Sequence, residues 1–244
     1  MQVVVPSRLR TATIKKQTLA LVPDAIVTVD ESEMDEYLKI LPREQLLPHP
    51  GPEVLGPGLA PIRNWLIDQF KNRCDVLWQM DDDCLYIRSM VGWRPRDYRD
   101  PQIVREVLDN ASHIASGGGF GVVGFNQQPN PLHFSPFNPC RLNTWVGTVL
   151  GLTQKGMQEL RYDVTVGHGD VDLCLQSLLK HRITLSMELW SFINLRLTNA
   201  GGSTGMRSTE AYEREHKAMQ DKWGPYVRFR MMETTMTTGI RVKR

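Results

Sequence analysis

An apolar run, Val76-Leu77-Trp78-Gln79-Met80, ends in three successive carboxylates, Asp81-Asp82-Asp83, and the chain turns apolar again at Cys84-Leu85-Tyr86-Ile87. Such flanks read as strand sequence that enters a core. Three adjacent like charges repel, and burying them without a counter-charge would cost several kcal/mol. A divalent cation resolves the conflict most simply. Mg²⁺ and Mn²⁺ take oxygen ligands, often one or two carboxylates plus phosphate oxygens of a substrate. A strand that ends in acids at its carboxyl edge points them into the crevice where α/β proteins bind ligands. A bare aspartate triplet is more often a solvated acidic turn, but the apolar flanks on both sides favour a buried, metal-holding edge.

The 244 residues make one large domain or two small ones, and a hydrophobic content of 41% is enough for a sizeable core. The net charge of +2 hides local asymmetry. Cys74, Cys84, Cys140 and Cys174 have no CxxC and no zinc spacing, so they read as reduced, mostly buried thiols of a cytosolic protein. The start, Met1-Gln2-Val3-Val4-Val5-Pro6, lacks the basic and long apolar regions of a signal peptide. No apolar run reaches membrane-spanning length. The expectation is a soluble, intracellular protein without internal repeats.

Gln2-Val3-Val4-Val5 has the continuous apolar pattern of a strand buried on both faces. It runs into Pro6-Ser7-Arg8-Leu9-Arg10. Polar and basic residues there commonly meet a nucleotide or phosphate, and an ordinary βα loop fits them equally well. The pattern then predicts a helix over 11–20, a strand over 25–29 stopped by Asp30, a helix over 33–40 and a short strand within 46–50. Residues 51–61 are loop-like, and Pro61 suits the first turn of a helix with Ile62, Trp65, Leu66 and Phe70 on its apolar face. Arg63, close to that helix start, is electrostatically misplaced unless an anion is near. It is a phosphate-contact candidate, against the plainer reading of a surface arginine.

After Ile87, cations and aromatics interleave: Arg88, Trp93, Arg94, Arg96, Tyr98 and Arg99. Guanidinium on phosphate and rings on bases suit an acidic polymer. A solvated loop of snorkelling arginines explains the segment as well. A helix over 101–116, a strand over 120–125, a Pro- and Asn-rich loop over 126–143, a strand over 145–152 and a helix opening at Thr153 follow. Then Gly167-His168-Gly169-Asp170-Val171-Asp172-Leu173 places two acids at i and i+2 in the first turn of a helix that runs to His181. The helix dipole keeps such a carboxylate ionised, fit to be a base or, more commonly, a cap. Strands over 183–187 and 189–197, a loop over 199–205 able to close over a ligand, and an amphipathic helix over 209–223 complete the order. Arg228, Arg230, Arg241, Lys243 and Arg244, with one acid, Glu233, form a basic tail that suits nucleic acid or is an irregular terminus.

These pieces resemble a GT-A glycosyltransferase. Asp81-Asp82-Asp83 is similar to the DxD motif, and Ala60-Pro61-Ile62-Arg63-Asn64 to the helix start that faces the nucleotide. Tyr162-Asp163 and His168-Gly169-Asp170-Val171-Asp172-Leu173 are similar to the "D…GxEDxDL" turn. More narrowly, Arg63-Asn64-Trp65, Gln79-Met80-Asp81-Asp82-Asp83, the loop over 199–202 and Lys222-Trp223-Gly224 resemble the TET-associated glycosyltransferases of bacteriophages. The resemblance implies an α/β fold, a GT-A (Rossmann-like) three-layer sandwich with a mostly parallel central sheet. It implies one domain over 1–244, with a nucleotide-sugar half over about 1–100, an acceptor half over about 101–204 and a C-terminal helix and basic tail over 205–244.

It further implies metal-dependent transfer from a nucleoside-diphosphate sugar, a UDP-sugar first, to a hydroxyl acceptor, 5-hydroxymethylcytosine in phage DNA. Asp81 and Asp83 would hold Mn²⁺ or Mg²⁺. Pro6, Ser7, Arg8, Asp30, Arg63, Asp81 and Asp82 would line the donor, and Asp170 would be the base of an inverting transfer. The glutamate of the motif is Gly169 here, and Leu197-Thr198-Asn199-Ala200-Gly201-Gly202 lacks the metal-binding histidine of many members. Arg88, Trp93, Arg94, Arg96, Arg99 and the basic tail would meet DNA, with the base flipped out of the duplex. The compartment would be the cytoplasm, the host's if the protein is phage-encoded. Three rivals remain. A glycosyltransferase of surface polysaccharide or glycan synthesis needs no arginine-rich stretch. A nucleotidyltransferase normally carries a glycine-rich loop after its first strand, which Pro6-Ser7-Arg8-Leu9-Arg10 is not. A non-catalytic nucleic-acid-binding module leaves the acids without purpose.

Overall fold

The continuous apolar runs of the N-terminal half become the strands of a sheet covered on both faces. The computed structural model describes residues 1–91, 94–164, 168–195, 209–232 and 235–242. β1 (Gln2–Pro6), β2 (Ile26–Asp30), β3 (Leu46–His49) and β4 (Val76–Met80) pair in parallel. β5 (Cys84–Ser89) and β6 (Arg96–Tyr98) leave this sheet for a smaller one. β7 (Val122–Phe125), β8 (Cys140–Arg141), β9 (Val149–Thr153) and β10 (Leu185–Met187) complete an eight-stranded sheet of order β3-β2-β1-β4-β9-β7-β10-β8. β9 is antiparallel to both neighbours and β8 to β10, so the sheet is mostly parallel. β11 (Trp190–Asn194) pairs with β5 to close the small sheet.

The helices are α1 (Thr18–Leu21), α2 (Met34–Leu38), α3 (Pro52–Leu55), α4 (Leu59–Phe70), α5 (Pro101–Gly117), α6 (Gln154–Glu159), α7 (Gly169–Lys180) and α8 (Thr209–Trp223). The two-residue period of a strand splits β4 between two cores. Val76, Trp78 and Met80 pack on one face with Tyr37, Val104 and Leu108, while Leu77 packs on the other with Leu66, Ile67 and Leu173. This gives three layers, with α5 on one side of the sheet and α4 and α7 on the other. Trp78 is fully buried, stacks on Phe125 at 5.4 Å and donates its Nε1–H to Ser112 Oγ at 2.9 Å.

Some local expectations change. Residues 11–20 do not form one helix: a 3-10 turn (Ile14–Lys16) meets the four-residue α1 at Gln17, whose φ −111° and ψ −113° interrupt the chain. Residues 51–61 hold α3 and the first turn of α4 instead of loop alone. The basic tail is a hairpin, β12 (Val227–Met232) against β13 (Thr235–Ile240). All four cysteines are free, Cys84 and Cys174 buried and the other two half-buried. Among the described residues no helix is long and apolar enough to cross a membrane. Trp93, Lys243, Arg244 and the loop over 199–205 lie outside the described residues.

α6 approaches the start of β7 closely enough that a Cβ on Gly156 would overlap the Gly121 carbonyl oxygen. A backbone atom cannot swing aside, so Gly156→Ala is expected to destabilise the protein by about 1–3 kcal/mol. Urea denaturation measures this as a lower midpoint with an unchanged slope.

Candidate active site

The topology places a crevice before any side chain is considered. From β1 the chain steps outward to β2 and β3, then returns past β1 to β4. Such a switch point, at the carboxyl ends of β1 and β4, is where open α/β sheets bind ligands. Ser7-Arg8 leaves one of these strands and Asp81-Asp82-Asp83 leaves the other.

The three aspartates have different surroundings. Asp82 is buried, accepts a hydrogen bond from Ser7 Oγ at 2.8 Å and lies 3.9 Å from Arg10 Nε. Ser7 Oγ also meets Tyr37 Oη at 2.8 Å, and that hydroxyl accepts from the Arg10 amide at 3.1 Å. Burial pushes the Asp82 carboxyl up to about 6, against the pull of Arg10 and Ser7. Asp81 is half-buried and pairs through Oδ1 with Arg63 Nη2 at 3.0 Å. Its carbonyl accepts from Thr18 Oγ1 at 2.7 Å and its amide donates to the Thr148 carbonyl at 2.9 Å. Asp83 is half-buried, and its carbonyl accepts the Leu195 amide at 3.2 Å.

Arg63 is a buried arginine, not a surface one. α4 presents it between Asp81 and the face of Tyr162, 5.4 Å from the ring centroid. Burial works against its charge, but Tyr162, Asp81 and Asp170 outweigh this and hold the guanidinium above its usual pKa. Gln79 fixes the arrangement from below: its Nε2 donates to the Arg63 carbonyl at 3.1 Å and its Oε1 accepts from Tyr162 Oη at 2.9 Å. Asn64 and the Tyr162 backbone exchange two hydrogen bonds, both 2.8 Å.

Asp170 opens α7 and is half-buried. Its Oδ1 accepts from the Val171 amide at 2.8 Å. Burial raises its pKa, Arg63 and the Val171 amide oppose the rise, and Asp81 adds to it. Its other oxygen lies against Gly147, where a Cβ would overlap it. The next residue, Thr148, has φ 58°. A β-branched residue in the left-handed region costs about 1–3 kcal/mol and persists only where surroundings enforce it. This strained corner joins the Asp170 carboxylate to the backbone of Asp81. Asp172, the second acid of the turn, is instead sealed in the interior. A Cβ on Gly169 would lie 3.1 Å from the Val164 carbonyl oxygen and 3.2 Å from the Tyr162 ring, so the motif's glutamate would need these neighbours to give by a few tenths of an ångström.

At the end of β2, Asp30 Oδ1 accepts from the Ser32 amide at 2.9 Å and its hydroxyl at 2.6 Å, which lowers the Asp30 pKa. Its other oxygen faces Gly51, where a Cβ would stand 3.0 Å away. Pro6 ends β1 half-exposed, and Arg8 is exposed with its Nε 3.8 Å from Glu33. Near the carboxyl ends of β1 and β4 the structure thus joins Asp82 to Ser7, and Asp81 to Arg63, whose charge Asp170 also supports. Tyr37, Gly147 and Thr148 join them without having been expected, as do Gln79 and Tyr162, which the sequence offered only as parts of the motif stretches. A polar Gln79 within an apolar strand was a signal for its role; Gly147-Thr148 carried none.

The arginine-rich segment lies on the small sheet. Arg88 is held by Asp97 in a two-pronged pair at 2.7 and 3.0 Å, so it is engaged within the protein. Arg88 and Arg99 flank the Tyr86 ring, each 5.6 Å from its centroid. Arg94, Arg96 and Arg99 are exposed, as are Arg228 and Arg241 on the hairpin and its exit.

Among solved structures, the chain is similar to glucosyl-3-phosphoglycerate synthase from Mycobacterium tuberculosis, solved with Mn²⁺, UDP and phosphoglyceric acid. The TM-score is 0.53 at 11% identity, over 98% of this chain and 86% of that one. The likeness carries the fold: this is a GT-A, Rossmann-like glycosyltransferase sandwich. A CMP-2-keto-3-deoxy-manno-octonic acid synthetase solved with CTP aligns at TM-score 0.40 and 11% identity, over 91% of this chain and 98% of that one, too weakly to carry an argument. No curated protein matches the chain. Residues 1–202 match the TET-associated glycosyltransferase family. The chain belongs to the TET-associated glycosyltransferases.

Proposed function

We propose that this glycosyltransferase moves a sugar from a nucleoside-diphosphate sugar, a UDP-sugar first, to the hydroxyl of 5-hydroxymethylcytosine in DNA, with a divalent metal. The observation that carries the reading is the bridge at the crevice mouth. Arg63 binds Asp81 at 3.0 Å and feels Asp170 as well, which joins the acidic edge after β4 to the acid that opens α7. A donor's diphosphate and an acceptor's hydroxyl need to meet at such a place.

The donor set fits a hard cation. Asp81, whose Oδ1 is held by Arg63 at 3.0 Å, and Asp83 would offer the carboxylate oxygens, while Asp82 is turned to Ser7 and Arg10. Among the described residues no three His, Cys, Asp or Glu side chains form a metal group. The remaining ligands would then be diphosphate oxygens and water, as Mg²⁺ and Mn²⁺ tolerate. When bound, the cation supplies charge neutralisation for the departing diphosphate. Glucosyl-3-phosphoglycerate synthase, of similar fold, was solved with Mn²⁺ and UDP, which supports this choice.

The protein's own residues do the rest. Ser7, Asp82 and Arg10 brace the loop after β1 against the acidic edge, with Pro6, Arg8 and Asp30 bordering the nucleotide. Arg63 supplies positive charge where the diphosphate leaves. The Asp170 carboxylate takes the proton of the acceptor hydroxyl as its oxygen bonds to the anomeric carbon. The bond from that carbon to the diphosphate breaks on the opposite side, so inversion is expected. Exposed Arg94 and Arg96, and exposed Arg99 over the Tyr86 ring, support a DNA acceptor, as does the family's name.

The test offers duplex and single-stranded DNA carrying 5-hydroxymethylcytosine, and separately a panel of saccharides, with UDP-, GDP- and dTDP-sugars and Mn²⁺. A hexose or pentose mass added to the modified nucleoside is the expected result. Transfer to a saccharide with none to DNA would replace DNA by a glycan acceptor. Arg96→Ala and Arg99→Ala are each expected to weaken DNA binding and to lower the slope of log affinity against log salt by about 1. Fluorescence anisotropy at several ionic strengths measures both.

A further inference from the structure

We propose that α8, which lies beyond the family-matched residues 1–202, is a positioning element for the acid-bearing turn and acts on Asp170 through Asp172 and His168. The proposal rests on the reading of Asp170 as the base.

Asp172 is completely buried in the first turn of α7. Its Oδ1 accepts from Lys222 Nζ at 2.6 Å and from Trp223 Nε1 at 2.8 Å, both on α8. Its Oδ2 accepts from Gln176 Nε2 at 2.9 Å and from the Asp163 amide at 3.2 Å. Two residues before Asp170, the buried His168 Nδ1 lies 3.0 Å from Glu215 Oε2, again on α8. The His168 carbonyl accepts the Asp172 amide at 2.9 Å, so the two anchor points are themselves joined. Beneath them Val164, Val171 and Leu175 pack on Met219, Trp223 and Val227. Asp170 stands between the anchors and its carboxylate rests on Gly147. Its placement is therefore set from both sides by one helix, and a shift of the turn moves the carboxylate away from the acceptor hydroxyl. A carboxylate buried under four donors with a lysine is more than a cap requires.

Trp223→Phe keeps the ring and removes only the N–H to Asp172, and Glu215→Gln keeps the shape of the second anchor without its charge. Each is expected to lower kcat by about 10- to 100-fold with the donor KM unchanged, because misplacement of a reacting group acts on the chemical step. Lys222→Arg is expected to restore most of what Lys222→Met loses. The deciding measurement combines Trp223→Phe with Asp170→Asn. If Trp223 acts through Asp170, the double variant is no slower than Asp170→Asn alone. Losses that multiply, or a Trp223→Phe protein with a lowered melting point and wild-type kcat at a permissive temperature, overturn the proposal. If Asp170→Asn itself transfers at the wild-type rate, the reading of Asp170 fails, and that outcome is recognised without reference to α8.

Discussion

Asp170→Asn is expected to bind the donor as the wild type does and to lose transfer by about 10²- to 10⁴-fold, the usual contribution of a positioned general base. The amide can still accept the Val171 N–H that Asp170 Oδ1 now receives at 2.8 Å, so the α7 start is preserved. Burial raises the Asp170 pKa, which fixes the sign of two pH effects. The carboxylate must be ionised to take a proton. Transfer should therefore fall on the acid side at a pH above the ordinary aspartate range, and this limb should vanish in the residual activity of the variant. For stability, the folded protein holds this proton to higher pH than the unfolded chain does. Stability from this group is thus full below the unfolded pKa and declines as pH rises through the raised folded pKa. Asn cannot ionise, so the variant should melt at or above the wild-type temperature, by a margin absent in acid and largest above the raised pKa. Steady-state kinetics and thermal melts over the same pH series check both.

Asp83→Ala is expected to remove the metal's contribution, about 4 kcal/mol of barrier or about a thousand-fold in turnover. The protein is expected to keep its fold, because Asp83 adds its repulsion to the burial that raises the Asp82 pKa and its backbone bond to Leu195 is retained in the variant. Asp82→Ala should behave in the opposite way. It would leave the buried Arg10 without the carboxylate 3.9 Å away and Ser7 without its acceptor, so the melting temperature should drop. Breaking one partner of a buried pair costs about 3–5 kcal/mol. Circular-dichroism melts alongside turnover assays separate the two aspartates. Equal behaviour would show that the division of labour within the triplet is misread.

Much of this site was legible in the sequence because its parts sit where local rules are strong. β4 is buried on both faces, so it reads as a continuous apolar run, and the acids that end it cannot be ordinary core. Arg63 at a helix start called for a nearby anion, and the structure supplies Asp81. Asp170 and Asp172 were visible as a pair, but their separation into a half-buried acid and a fully buried one was not. That depends on Lys222 and Trp223, 50 and 51 residues along the chain. The contact of Gly147 with Asp170 is likewise long-range, and a glycine followed by a threonine announces nothing. The C-terminal hairpin was missed for another reason. Val227-Arg228-Phe229-Arg230 alternates apolar and basic, a strand's period, but its charges drew attention as a tail. In residues 11–20, β-branched Thr11, Thr13, Ile14 and Thr18 weaken a helix, which explains the broken turns seen there.

The central claim is a metal-dependent donor site at the carboxyl edge of β1 and β4, and calorimetric titration of sugar nucleotides tests it most directly. UDP-, GDP- and dTDP-sugars are each titrated into the protein with Mn²⁺ and again with EDTA, and the donor that binds is repeated with Asp83→Ala. The account predicts saturable binding of one donor class with Mn²⁺, lost with EDTA and lost in Asp83→Ala, but kept in Asp170→Asn. Binding of equal strength with EDTA, or no binding of any of the three donors with Mn²⁺, would contradict it.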